Sequence, residues 1–162
     1  FRAGDLRALK AEALDSSRIT HTDPRAGAGA VAVAAAVAHV LERDRVDPRS
    51  MAAELAALVE DVSPEMGYRL RRAADLLGEA DEGAALERIG TGGFVLEAVP
   101  AALHCFWRHS EDFEAAVVAA VNAGGDADSG GVARAAGDRG AVGRLGPGAG
   151  RAVAGRRRAP EG

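Results

Sequence analysis

A chain of 162 residues with 48% hydrophobic side chains is long enough for one domain with a sizeable core. Aromatics make up only 4%, so that core must be built from Ala, Val and Leu, which favours packed helices over a sheet sandwich. The net charge of −4 combines an acidic body with a basic end, and the single cysteine, Cys105, excludes an internal disulfide and a cysteine-based zinc site.

Gly4 to Leu14 reads as a short amphipathic helix, with Leu6, Leu9 and Ala13 on one face and Asp15-Ser16-Ser17 as its end. A polar loop, Arg18 to Arg25, follows. Asp23-Pro24 is a helix start, with Asp as N-cap and Pro at the first helical position. The helix it opens runs to about Leu41, with Val33, Val37, Val40 and Leu41 on its apolar stripe. It is mostly Ala, Val and Gly and reads as buried. No charge-free run of about 18 apolar residues is present, so no membrane span is expected. No signal-peptide pattern opens the chain, and a cytoplasmic location is expected.

Asp47-Pro48 ends a charged connector and opens a helix carrying Met51, Leu55, Leu58 and Val59. Ser63-Pro64-Glu65 restarts another, with Met66, Leu70, Ala73 and Leu77 inside and Gly78 as its C′ residue. Glu79 to Arg88 is a short helix or a loop. Gly90-Thr91-Gly92-Gly93 is a flexible turn that exposes backbone. Phe94, Val95, Val99, Leu103 and Phe106 form a helical stripe to about His109, which Pro100 should kink or divide. Ser110 caps the next helix, whose buried side is Phe113, Val117, Val118 and Val121. No period-two strand is visible, and the fold class is all-α.

That last helix leads into Gly124-Gly125-Asp126-Ala127-Asp128-Ser129, two glycines followed by two carboxylates and a hydroxyl. Hard oxygens of this kind suit Mg²⁺, Ca²⁺ or Mn²⁺. A turn entering a helix would let Asp126 and Asp128 converge, and Ser129 would add a neutral oxygen. On residue types alone a simpler reading competes: Asp126 as N-cap with favourable first-turn neighbours. No EF-hand glutamate follows at the required distance. His39 and His104 lie within helical patterns and suit packing or surface roles, and Cys105 reads as a core thiol. From Gly130 to Gly162 seven arginines stand against Asp138 and Glu161. This Gly/Arg-rich end, taken as a tail from residue 137, is expected to be disordered, and no nucleic-acid partner is expected.

Three stretches together resemble the ADP-ribosylglycohydrolase family, which includes the dinitrogenase reductase-activating glycohydrolases. They are Ser17-Arg18-Ile19-Thr20-His21-Thr22-Asp23-Pro24, Gly90-Thr91-Gly92-Gly93-Phe94 with the helix that follows, and Asp112-Phe113-Glu114 leading to Gly124-Gly125-Asp126-Ala127-Asp128-Ser129. Their order and spacing match that family's C-terminal half, placing a family-like helical domain at 1–136. The resemblance implies a compact multi-helix fold holding two Mg²⁺ ions, with Mn²⁺ possible, and Asp126, Asp128 and Ser129 as metal ligands. His21 would lie against the ADP-ribose moiety, and Gly92 and Gly93 near the substrate cleft. The implied reaction is hydrolysis of the N- or O-glycosidic bond between ADP-ribose and an acceptor, on an ADP-ribosylated protein or a small molecule. No catalytic residue is assigned, and a monomer is expected. The rival is a non-catalytic, crystallin-like or ADP-ribose-binding member of the same fold. The family's other ligands, a Glu and a Thr-Asp-Asp set, have no match in this chain. It is therefore expected to be part of a longer protein and to lack catalysis alone.

Overall fold

The computed structural model describes residues 5–43 and 45–123. Among them are seven α-helices and no strand. In chain order these are α1 (Leu6–Arg18), α2 (Pro24–Glu42), α3 (Pro48–Val59), α4 (Pro64–Asp75), α5 (Glu82–Ile89), α6 (Val95–Arg108) and α7 (Phe113–Asn122). A 3₁₀ turn, Leu76–Gly78, extends α4.

The helix starts are local in origin. Asp23, Asp47 and Ser63 accept hydrogen bonds from the backbone N–H of Arg25, Arg49 and Met66, and each precedes a proline at the first helical position. The side-chain oxygen satisfies an otherwise orphaned donor, and proline removes a donor that had no partner.

α2 is the central helix, packed on α1, α3, α4 and α6. Its length and composition would allow it to cross a bilayer, yet half of its most apolar window is buried inside the protein. The face it buries corrects the expected valine stripe. Ala28, Ala32, Ala35 and Ala36 are buried with Val31, whereas Val33, Val37 and Val40 are only partly covered. Small side chains let neighbouring helices approach closely. A Cβ on Gly29 would lie 2.5 Å from Val95 Cγ2, so the α2 backbone is packed directly against the Val95 side chain of α6 there.

Several expected ends move. α1 continues through Arg18 rather than stopping at Asp15. Its last turn holds because Ser17 Oγ donates to Leu14 O at 2.8 Å and Ser17 O accepts from His21 N at 2.9 Å. Gly78 is not a left-handed cap: Gly90, at φ 90°, is the one residue with positive φ among those described. Leu76, not Leu77, is the buried leucine at that end. Residues 82–89 form a helix capped by Asp81. Pro100 does not divide α6, eleven of whose fourteen residues are buried. Dense packing holds the helix across the missing N–H. Phe94 is its half-exposed N-cap residue rather than part of the buried stripe. Asp112, not Ser110, caps α7 by accepting from Ala115 N at 3.0 Å. Asp112 N donates to His109 O, which places Ser110 inside the connecting turn. α7 packs chiefly on α6, so Ala116 is buried while Val118 and Val121 are half exposed.

Candidate functional site

The loop between α1 and α2 turns sharply because Thr20 N and His21 N both donate to Ser17 O. This leaves the His21 side chain exposed at the start of α2. Thr20 Oγ1 lies 2.8 Å from His21 Nδ1, closer than its 3.4 Å contact with Ser17 O. The contact orients the ring and turns Nε2 to the solvent side.

Two residues on, Asp23 is both the cap of α2 and a partner of Arg25. The guanidinium meets it with two arms, Nε to Oδ1 at 3.0 Å and Nη2 to Oδ2 at 2.7 Å. These bonds hold the exposed carboxyl down to about 2. The same guanidinium lies over the Phe94 ring, 5.1 Å from its centroid, a cation–π contact. Phe94 directly follows the glycine turn. The loop carrying His21 and the turn carrying Gly92 and Gly93 are thus tied together through Arg25 and Phe94.

The turn has its own brace. Gly92 N donates to Glu97 Oε2 at 3.0 Å. A Cβ at Gly90 would lie 2.7 Å from Glu97 Cδ, and one at Gly92 would lie 2.7 Å from Glu97 Oε2. Both glycines are required for the carboxylate to occupy that place.

Beside the turn, at Thr91, is an open cavity of about 560 Å³. Thr91 lines it with Glu82 and Leu86 from α5, His109 from the end of α6, and Ala119 and Asn122 from α7. Glu82 accepts from His109 Nε2 at 3.0 Å. Asn122 and Ala123 on this wall lead into the Gly124–Ser129 stretch.

Asp126, Asp128 and Ser129 lie outside the described residues, as does the Gly/Arg-rich end. Among the described residues no group of three or more His, Cys, Asp or Glu could hold a metal. The chemistry of the Asp126, Asp128 and Ser129 set, two carboxylates and a hydroxyl, fits Mg²⁺ or Mn²⁺.

Cys105 and His104 have the core positions expected of them. Burial pushes the Cys105 thiol up to about 12, so it is neither a nucleophile nor a thiolate ligand. His104 is fully buried and donates from Nδ1 to Ala73 O at 2.8 Å. Sequence reasoning missed Glu97 and the Arg25–Phe94 contact. Glu97 had a signal: an acid three residues after a helix N-cap is placed to reach back over it. The Arg25–Phe94 contact joins positions 69 apart in the chain, and no local pattern announces it.

The sequence matches the ADP-ribosylglycohydrolase family model over residues 1–136. The chain belongs to the ADP-ribosylglycohydrolase family. An uncharacterized protein of Archaeoglobus fulgidus is 37% identical over 115 residues, which is 70% of this chain and 36% of that protein. The chain thus matches about a third of this relative's length. The range shared with the ADP-ribosylglycohydrolases takes in His21, the Gly92–Gly93 turn and Asp126 to Ser129, and the helical architecture agrees with that family's all-α fold.

Proposed function

We propose that the protein carrying these residues is a Mg²⁺-dependent ADP-ribosyl hydrolase. The observation that carries this reading is the family match across 1–136, which takes in all three motif stretches. The geometry supports it, because the His21 loop and the glycine turn are joined through Arg25 and Phe94. The cavity beside Thr91 is walled by the helix that runs into the Asp126–Ser129 stretch.

The reaction is attack of a water oxygen on the ribose anomeric carbon while the bond to the acceptor nitrogen or oxygen breaks and the acceptor takes a proton. His21 offers Nε2 as a hydrogen-bonding group to the ribose, with its ring oriented by Thr20. Gly93 is exposed beside Gly92, so the backbone of this turn approaches substrate there without a side chain in the way. Asp126, Asp128 and Ser129 would hold the metal, whose chemistry when bound is charge stabilisation at the reacting ribose and a lowered water pKa. The substrate is an ADP-ribosylated protein or an ADP-ribose-bearing small molecule.

The test is release of ADP-ribose from an ADP-ribosylated peptide by the full-length protein with Mg²⁺. Chelation should abolish turnover, and Asp126→Asn should weaken both turnover and metal binding. ADP-ribose binding without any turnover would instead favour the non-catalytic member of the same fold. Metal binding unchanged in Asp126→Asn would sink the ligand assignment.

A further inference from the structure

We infer that Glu97 is the positioning residue that sets the glycine turn and Phe94 for substrate binding, an inference that rests on the function proposed above. Glu97 sits at the third position of α6, where an acid usually serves the N-terminus of its own helix. Here its carboxylate reaches back five residues and accepts from Gly92 N at 3.0 Å. Phe94, the N-cap residue, offers no side-chain bond to the helix, so this contact is the side-chain brace of the helix entry.

The bond has directional consequences. Gly90 at φ 90° turns the chain out of α5, and the absence of Cβ atoms at 90 and 92 leaves room for the carboxylate. With Gly92 N engaged inward, the amides of Thr91, Gly93 and Phe94 have no protein acceptor among the described residues. They are free to meet an oxygen of the ligand. The brace also fixes where the Phe94 ring leaves the turn. That ring holds the Arg25 guanidinium, and Arg25 holds Asp23 at the head of α2, two residues from His21. Releasing Glu97 therefore loosens both substrate-facing segments at once. The expected signature is lost affinity with little change in chemistry.

The experiment uses the full-length protein and measures the ADP-ribose Kd by calorimetry beside KM and kcat for an ADP-ribosylated peptide. Glu97→Ala should raise Kd and KM about tenfold while kcat stays within about threefold, one hydrogen bond to a charged acceptor being lost. Glu97→Gln should restore most of the affinity, because its amide oxygen can still accept from Gly92 N. If Glu97→Ala fails to fold, Glu97→Gln and Gly92→Ala carry the test. The added methyl at 92 displaces the carboxylate from the other side and should raise KM in the same way. Wild-type affinity in Glu97→Ala or Gly92→Ala, a loss confined to kcat, or a Gln variant as weak as Ala would each overturn the assignment. A wild-type protein that neither binds ADP-ribose nor hydrolyses the peptide would overturn the proposed function as well. A wild-type protein that does both, with an unaffected Ala variant, overturns the role of Glu97 alone.

Discussion

Arg108 closes the far end of α4 from a different helix. Its guanidinium donates to Glu79 O at 2.8 Å and Ala80 O at 3.2 Å, with a longer contact to Leu77 O at 3.4 Å. One turn earlier on α6, His104 Nδ1 donates to Ala73 O. Ala73 O belongs to the end of α4 and Leu77 O to its 3₁₀ extension, where helical partners have run out, and Glu79 O and Ala80 O to the connector that follows. A charged donor to several carbonyls, two of them partly buried, is worth more than a neutral one, so Arg108→Met, which keeps the apolar stem, should cost about 1.5 kcal/mol in urea unfolding. A variant as stable as the parent would show that water replaces the guanidinium. Cys105, on the same helix, gives a second residue-scale test. With its thiol buried and pushed up to about 12, an aromatic disulfide reagent should modify it only as fast as the protein opens. Modification at the rate of a free thiol in native buffer would contradict the packing of α6.

At the scale of elements, the proline-marked helix starts and the buried faces of α3 and α4 were legible, and the buried face of α2 was not. Asp-Pro and Ser-Pro pairs act within one turn, so Asp23, Asp47 and Ser63 cap where the pattern puts them. The buried face of α2 depends on what approaches it. Hydrophobicity ranks valine above alanine, but close helix contact selects the smaller residue. That is why Ala28, Ala32, Ala35 and Ala36 are buried where a valine stripe was expected. The end of α4 was misread for the same reason, since His104 from α6 takes Ala73 O and Arg108 takes the carbonyls of the 3₁₀ turn and connector, with no left-handed glycine there. The contact between α2 and α6 is testable at Gly29. Gly29→Val gains helix propensity but forces bulk against Val95 Cγ2, already 2.5 Å from an added Cβ. Overpacking should dominate and cost about 2 kcal/mol. Gly78→Ala is the matched control. Nothing lies within 4 Å of its added methyl and its φ is not positive. It should stabilise by about 0.5 kcal/mol through the unfolded chain. Equal effects at both positions would rule out steric contact as the cause.

For the whole molecule, the candidate site was legible as three separate motifs but not as a surface. His21, Gly92 and Asp126 were each visible because a loop histidine, a glycine turn and an acidic cluster are local features. The Arg25 and Phe94 pair that joins the first two is long-range, and Glu97 was hidden as an ordinary acid in a helical run. Two buried imidazoles at different interfaces give the molecule a common response to acid. His39, on α2, contacts Arg43 Nη1 at 2.8 Å and Glu54 Oε2 at 3.3 Å from α3. Burial, then the charge of Arg43, holds its pKa below the ordinary 6.5, with Glu54 and Glu42 opposing. Burial likewise depresses His104, whose Nε2 has no partner among the described residues, with the Ala73 carbonyl opposing. A depressed folded pKa means that the unfolded chain binds protons first. The stability is complete above pH 6.5 and declines as the pH falls through the lower folded values. Urea unfolding should therefore be flat from pH 7 to 8 and weaken below pH 6.5, with a slope of at most about 1.4 kcal/mol per pH unit for each imidazole. A separate loss belongs below pH 4, where Asp23, held by Arg25, and Asp61, held by Lys10, take up protons under their ordinary value of 3.8. Replacing His39 and His104 together by Leu should flatten the upper window and leave the lower one. An upper slope that survives the double substitution would assign the acid response to other groups.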